Sequence, residues 1–446
     1  MMFGLHQSIT LPDIRTLKTS KISQPTRNPQ KMKVTFCTSA SNKKRVKKHT
    51  QSLIVLNPST IAKKYNNKKI FIRKVPSSYE LPSRLDILAA PPVRHRIHPV
   101  HHSMVNISMK KLPLLVAIKP DNERAEKERF MKTNYNYNPY FLYRGIADPD
   151  SLKKFKAPSD QYLSLAVLIL ESTLAYFGSY ETFDKVTGGP ILNKQQIYSL
   201  CKSYLASEDL DEEVQINLKE DLLSRGSMTR TEGRPVVNIR CVNLREHGAE
   251  GLLRHEIGTH YLRSCNNSKQ PWSNPKVREN LNMKPFNPTE EGLASLHSVL
   301  LRDKPFLWQP ALLYYTTFKA SKMSFKEIFI DLEKYVQSPH VRWDCCLRAK
   351  RGQVDTSRPG GFFKDQVYLE GVLKLLKRRK TLDFELLVRL GKVSFEDVGR
   401  SCLTENAKLD KTRIPKFMED MVVYHRQLDY IAKTNGLTDD VLNLVD

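Results

Sequence analysis

Leu252-Leu253-Arg254-His255-Glu256-Ile257-Gly258-Thr259-His260-Tyr261-Leu262 decides how this 446-residue chain is read. Apolar residues flank both histidines, so the helix they predict, His247 to Arg263, is packed and not one lying free on a surface. Histidines four apart, as in H-E-x-x-H, share a helix face and can hold one metal ion. Here they are five apart, which on a regular helix turns the second about 140° away from the first. Widening by one residue into a π-turn restores the alignment, because the repeat there is i to i+5. Gly258 lies inside the extra turn, and glycine tolerates the distortion.

Zinc in a hydrolase takes three protein ligands and keeps a fourth position open. His255 and His260 would supply two. The third is expected from the following helix, Pro288-Thr289-Glu290-Glu291-Gly292-Leu293-Ala294-Ser295-Leu296, which Thr289 can cap. Its apolar face is Leu293, Leu296 and Leu300. Glu291 aligns instead with Ala294, Ser295 and Ser298, small residues that let a neighbouring helix come close, so Glu291 is preferred over Glu290 as the metal carboxylate. Glu256 follows the first ligand directly and is the expected general base, taking a proton from the attacking water and later handing it to the leaving amine. His247 and His297 are held in reserve as supporting or structural residues. The pattern points to a zinc-dependent peptidase with one Zn2+ per chain.

Outward from this window, Glu213 to Leu218 and Pro235 to Val242 alternate like strands, with Gly226 and Gly233 punctuating the connection. Helical spacing is read over Asp121 to Thr133, Ser159 to Phe183 and Gln195 to Ala206. A loop rich in Asn and Pro spans Ser264 to Pro288, and Thr289 to Asp446 reads as mainly helical. The expected fold class is therefore α+β, a mostly helical zincin-like metallopeptidase domain with a small β-sheet over residues 106–446. The longest apolar stretch, Tyr162 to Phe177, is interrupted by Ser164, Glu171, Ser172 and Thr173 and is short for a membrane span, so no membrane partner is expected.

Charge is unevenly placed. Before residue 76, seventeen Lys and Arg stand against the single acid Asp13, so +16 of the chain's +25 sits there. Residues 1–105 are expected to form a disordered basic arm, since clusters such as Lys43, Lys44, Arg45, Lys47 and Lys48 are set among Pro, Ser, Thr and Asn with too little apolar surface to order themselves. Met1 to Pro12 lacks the charged start and apolar run of a signal peptide. The seven cysteines are scattered and include no C-x-x-C, which argues against a disulfide framework or a Cys-based zinc site and for a reducing compartment.

Together, His255 to His260 and the E-G-L-A run from Glu291 to Ala294 resemble the microtubule-associated tyrosine carboxypeptidases. Bacterial relatives of that family carry Q-E-G-M-A, against which Glu290 replaces Gln and Leu293 replaces Met. A third match runs from Arg358 to Gly371, and the resemblance spans about Leu112 to the C-terminus, leaving the basic leader uncovered. It implies a cytoplasmic enzyme on the microtubule cytoskeleton that removes the C-terminal Tyr of the α-tubulin tail by zinc-assisted hydrolysis, some relatives also trimming the preceding Glu. By the same resemblance His255, His260 and Glu291 hold the zinc and Glu256 is the base. An acidic tubulin tail and microtubule lattice would be steered by the +16 arm, with binding that weakens in salt.

Residues that read the substrate are inferred separately. A free terminal carboxylate calls for Arg or Lys, and the candidates are Arg230, Arg240, Arg358 and Lys364. Tyr368, four residues after Lys364 on a predicted helix, could donate to the oxyanion; the alternative is an ordinary core aromatic. The strand Pro235 to Val242 is expected to lie at an edge and pair with an extended peptide. Rival readings are a zinc peptidase of other specificity, a microtubule-binding protein without activity, and a nucleic-acid-binding protein. Against the last, there is no zinc-finger spacing and no basic heptad helix, and the arm before residue 76 has only Phe3, Phe36, Tyr65 and Phe71 as aromatics.

Overall fold

The computed structural model describes residues 114–145, 155, 157–222 and 224–445, and the basic segment 1–105, with its expected disorder, lies outside them. Ahead of the sheet run four principal helices: α1 (Glu123–Lys132), α2 (Leu163–Phe177), α3 (Tyr180–Gly188) and α4 (Lys194–Ser207). The single helix expected over Ser159 to Phe183 is in fact two. Gly178 takes a φ of 81°, a left-handed conformation that ends α2, and the Ser179 side chain accepts from the Thr182 amide to start α3. The two axes are bent by 76°, and no single helix among the described residues is long and apolar enough to cross a membrane.

Three strands follow: β1 (Gln215–Lys219), β2 (Gly226–Thr231) and β3 (Arg234–Arg240). Their order is β1-β3-β2, with β1 parallel to β3 (Gln215 opposite Val236) and β2 antiparallel (Gly226 opposite Ile239). Sequence reading found β1 and β3 but took β2 for a connection. Its residues, Gly-Ser-Met-Thr-Arg-Thr, carry almost no apolar alternation. The strand owes its place to the hairpin turn at Glu232 and Gly233, whose φ values of 50° and 81° match the twist of paired strands. The expectation that β3 is an edge is also corrected. It is the central strand, with Val236, Val237, Asn238 and Ile239 buried, so only β1 and β2 offer free edges.

The sheet packs its apolar face on α4 and on α5 (Glu246–His255), joining Ile197, Cys201 and Leu205 to Val237, Ile239 and Leu253. After α5 come a π-turn (Glu256–Tyr261) and α6 (Leu262–Ser268), one unbroken helical rod in three segments, α, π and α. The loop expected over Ser264 to Pro288 is therefore shorter than read, and it holds a further short helix, Pro275–Asn280. The principal helices of the remaining part are α7 (Asn287–Val299), α8 (Trp308–Ala320), α9 (Pro339–Lys350), α10 (Val367–Lys377) and α11 (Met421–Thr434), around a core that includes Phe130, Phe325, Phe329 and Trp343.

Two close crossings fix α7. A Cβ on Gly251 of α5 would collide with the Ser298 carbonyl oxygen, so the small-residue face of α7 does let its neighbour in, as its sequence suggested. On another side a Cβ on Gly292 would strike the Gly371 backbone of α10, and one on Gly371 would strike the Pro288 carbonyl oxygen. Glu291 is thereby carried on a helix clamped between the histidine-bearing rod and α10.

Candidate metal centre

His255 ends α5 and His260 lies in the π-turn, so the five-residue spacing is accommodated by the widened register the sequence called for. The two Nε2 atoms face each other at 3.1 Å. Gly258 is needed for space and not for an unusual backbone angle: it is absent from the positive-φ residues, and a Cβ there would stand 2.8 Å from both the Phe417 ring and the Tyr204 hydroxyl.

Glu291 completes the cluster. Its Oε2 lies 3.5 Å from His260 Nε2, and one donor atom from each of His255, His260 and Glu291 fits within 4.8 Å of the others. That Oε2 is buried and makes no hydrogen bond, while Oε1 accepts from Lys364 Nζ at 3.3 Å. Two imidazole nitrogens turned toward each other, beside an unpartnered carboxylate oxygen, form a donor set that a divalent cation would satisfy. Two nitrogens and one oxygen also match the ligand chemistry of catalytic zinc.

Both histidines are steadied from α7. His260 Nδ1 donates to Glu290 Oε1 at 2.8 Å, and His255 is hydrogen-bonded to the Ala294 backbone. Glu290 is paired in turn with Arg263 at 2.6 Å and with Lys392. Glu291 is thus the carboxylate that lies with the two imidazole Nε2 atoms, and Glu290 the one that holds the His260 ring from behind.

Burial and the neighbouring charges divide the titrations sharply. Burial, with His260 alongside, drives His255 down to about 3. Burial opposes protonation of His260, but the hydrogen bond to Glu290 and the nearby negative charge of Glu291 outweigh it and lift the ring to about 10. Glu291 is buried too, yet His260 and Lys364 hold it well below the usual carboxylate range. Glu256 is raised to about 7, chiefly by burial, and it accepts a hydrogen bond from the Met228 backbone of β2. The strand that sequence reading missed thus fixes the expected base.

The remaining site candidates are placed unequally. Lys364 touches Glu291, and Tyr368, in the first turn of α10, is held as a neutral phenol by burial and by Glu291 nearby. Arg240, at the end of β3, pairs with Asp344 at 3.3 Å and lines a cavity with Leu222, Arg348 and Arg351. Arg230 is exposed and donates to Gly233 O within its own hairpin, and Arg358 pairs with Asp355, its side chain 81% exposed. Neither touches the cluster. Of the reserve histidines, His247 is exposed beside Glu250 at 3.4 Å, and His297 is buried between Thr259 and Tyr424.

Sequence reasoning missed Arg348 and Arg351 on and just after α9. Both are pinned by the buried Asp365, Arg348 through two hydrogen bonds of 2.6 and 3.2 Å and Arg351 through one of 2.9 Å. The Arg348 guanidinium lies 5.5 Å from the Tyr368 ring centroid. The one available signal was their three-residue spacing next to the apolar Trp343, Cys346 and Leu347, which puts both on one side of a packed helix.

No protein-family profile matches the chain. Individual relatives do. Microtubule-associated tyrosine carboxypeptidase 1 of Rattus norvegicus is 49% identical over 338 residues, covering 76% of this chain and 72% of its own length. The Homo sapiens protein of the same name is 49% identical over 332 residues (74% and 70%), and that of Mus musculus is 49% identical over 334 (75% and 71%). With half the residues shared over most of both chains, this protein belongs to the microtubule-associated tyrosine carboxypeptidase family.

Proposed function

We propose that this chain is a zinc carboxypeptidase that removes the C-terminal Tyr of the α-tubulin tail on microtubules. The observation that carries the proposal is the convergence of His255, His260 and Glu291 beside Glu256, in a chain about half identical to named tyrosine carboxypeptidases. His255, His260 and Glu291 would hold the ion. When bound, zinc would supply Lewis acidity, polarising the scissile carbonyl and making water easier to deprotonate. Glu256, with a pKa raised toward neutrality, is suited to take the proton from the attacking water and pass it to the departing nitrogen.

Tyr368 stays a neutral phenol and can donate to the oxygen that gains charge as the carbonyl is attacked. Lys364 beside Glu291 and Arg348 beside Tyr368 would be the positive groups that draw a free carboxylate of the departing residue, with Arg240 in a cavity wall that Arg348 shares with the acids Glu123 and Asp344. A chain end carries such a group on its α-carbon, next to the scissile bond, whereas an internal Asp or Glu carries it out on a side chain; a cationic pocket there favours a carboxypeptidase over an endopeptidase or aminopeptidase. Upstream tail residues would lie along β2, the free edge next to Glu256, where backbone pairing needs no particular side chains. In this reading residues 1–105 are a basic arm that retains the enzyme on an acidic lattice, and residues 106–446 carry the catalysis in the cytoplasm.

The test is the mass of the α-tubulin C-terminal tail after incubation with the zinc-loaded protein and with Glu256→Gln. Loss of one Tyr with the wild type alone is the expected result. An unshortened tail in the presence of zinc-loaded wild type would refute the tubulin assignment. Equal shortening by both proteins would refute the role of Glu256.

A further inference from the structure

In an α-helix a threonine hydroxyl reaches back to the carbonyl three or four residues earlier. Thr173, Thr187 and Thr316 of this chain do so, bonding Ile169, Phe183 and Leu312 at 2.7 Å each. Thr259 differs. Its hydroxyl donates to the Arg254 carbonyl, five residues back, at 2.9 Å. Five residues is the step of the π-turn in which Thr259 sits.

Because the single hydroxyl proton goes to Arg254, the 2.7 Å contact between Thr259 Oγ1 and His297 Nδ1 requires His297 to be the donor. Burial, with Arg263 and Arg254 nearby, pushes His297 far below the ordinary imidazole pKa, so the ring is neutral and Nε2 carries no proton. Nε2 then accepts from the Tyr424 hydroxyl at 2.8 Å. The row from Tyr424 through His297 and Thr259 to Arg254 has one consistent direction, and every hydrogen in it is assigned. The ring is also fixed from its backbone, since Arg254 Nε donates to the His297 carbonyl at 3.0 Å. Thr259, His297 and Tyr424 are almost wholly buried, and none of them belongs to the donor set.

We propose that Thr259, held by His297 and Tyr424, is a positioning residue that locks the π-turn and so keeps His255 and His260 on one side of the helix for a single metal ion. The proposal rests on the zinc reading above. A return of this segment to the α register would rotate His260 about 140° from His255 and dissolve the site. The Thr259 hydroxyl opposes that return, because only the wider turn brings it to the Arg254 carbonyl. His297 projects from α7, the helix that also bears Glu290 and Glu291, so one element sets the register of the histidines and supplies the carboxylates.

Zinc affinity, measured by competition with a chromophoric chelator, tests the lock on wild type, Thr259→Val, Thr259→Ser and Tyr424→Phe. Thermal unfolding of each metal-free protein and the visible spectrum of its cobalt(II) form are recorded alongside. Valine keeps the shape of threonine without the hydroxyl, and affinity is expected to fall roughly 10- to 100-fold, the range for losing a group that orients a ligand. The cobalt bands should shift with it, and serine should restore affinity to within about threefold by the same reasoning. Tyr424→Phe should weaken binding in the same direction by a smaller factor. Wild-type affinity and spectrum in both Thr259→Val and Tyr424→Phe would overturn the lock while leaving the zinc site standing. Should Thr259→Val fail to fold, Tyr424→Phe decides alone. A wild type that holds no zinc would overturn both readings.

Discussion

Glu290 and His260 meet at 2.8 Å, carboxylate oxygen to Nδ1, on the side of the ring turned away from the donor set. Glu290 also neutralises Arg263, a side chain with no exposed surface, and binds Lys392. One residue therefore performs two tasks, orienting the His260 ring and balancing buried charge. Glu290→Gln keeps an oxygen for His260 but leaves Arg263 without its counter-ion. Zinc affinity should fall less than in Glu290→Ala, where about 10- to 100-fold is expected. Stability should suffer in both, by about 3–5 kcal/mol for a buried ion pair broken from one side. Chelator competition and urea unfolding on the two variants separate the tasks, and equal zinc loss in both would remove the orienting role.

Gly371 offers a different route to the same site. No atom can be added at its Cα without moving the Pro288 carbonyl, and Gly292 faces it across the crossing. Gly371→Ala should destabilise the fold by at least about 2 kcal/mol, in the upper part of the range for overpacking because the obstruction is backbone. It should also displace α7, and with it Glu291, so zinc affinity should drop although no ligand has changed. A variant with wild-type unfolding midpoint and wild-type zinc affinity would contradict the rigid crossing.

Lys350 is fully buried, with Nζ donating to the carbonyls of Ala320 and Arg358, and burial lowers its pKa to about 8. An unfolded lysine titrates near 10.5, so between those values the unfolded chain holds the proton that the folded chain has released. Stability from this group must therefore rise with pH across that window, by at most about 1.4 kcal/mol per pH unit. Below pH 8 both states are protonated and the cost of burying the ammonium is present in full. Lys350→Met should remove this component. Urea unfolding at pH 8 and pH 10 compares the two, and parallel pH dependence would exclude Lys350 as the source.

What could be read in the chain and what could not follows from the range of the forces involved. The π-turn was legible because a five-residue spacing has only one way to bring two rings together, and Gly258 stood inside it. Glu291 was legible because Ala294, Ser295 and Ser298 mark a face that admits another helix. The break after α2 left a Gly178-Ser179 signal that the long apolar run before it concealed. β2 left almost none, since its place depends on pairing with β3 and on the turn at Glu232. Arg348 and Arg351 were hidden for a related reason: Asp365, fourteen or more residues away, turns them from ordinary helix charges into part of a cavity wall.

Recognition of a free carboxylate should depend most on Arg240. Arg348 and Arg351 already divide Asp365 between them, whereas Arg240 has one contact to Asp344, at 3.3 Å, and a buried Nε with no partner. That leaves Arg240 with a hydrogen-bonding group unused, in a side chain that lines the cavity together with Arg348, Arg351, Leu222 and the acids Glu123 and Asp344. Its side chain is 30% exposed, so Arg240→Met should fold. Losing one charge-assisted hydrogen bond, about 1.5–3 kcal/mol, predicts that kcat/KM on a peptide ending in a free acid falls about 10- to 100-fold. Most of the loss should appear in KM, since the contact would be made before and during the reaction alike. On the same peptide with an amidated end, which offers no charge to read, the variant and wild type should differ by less than about threefold. Equal losses on both peptides would mean that Arg240 shapes the cavity wall and does not read the chain end, and the same pair of substrates would then be applied to Lys364→Met.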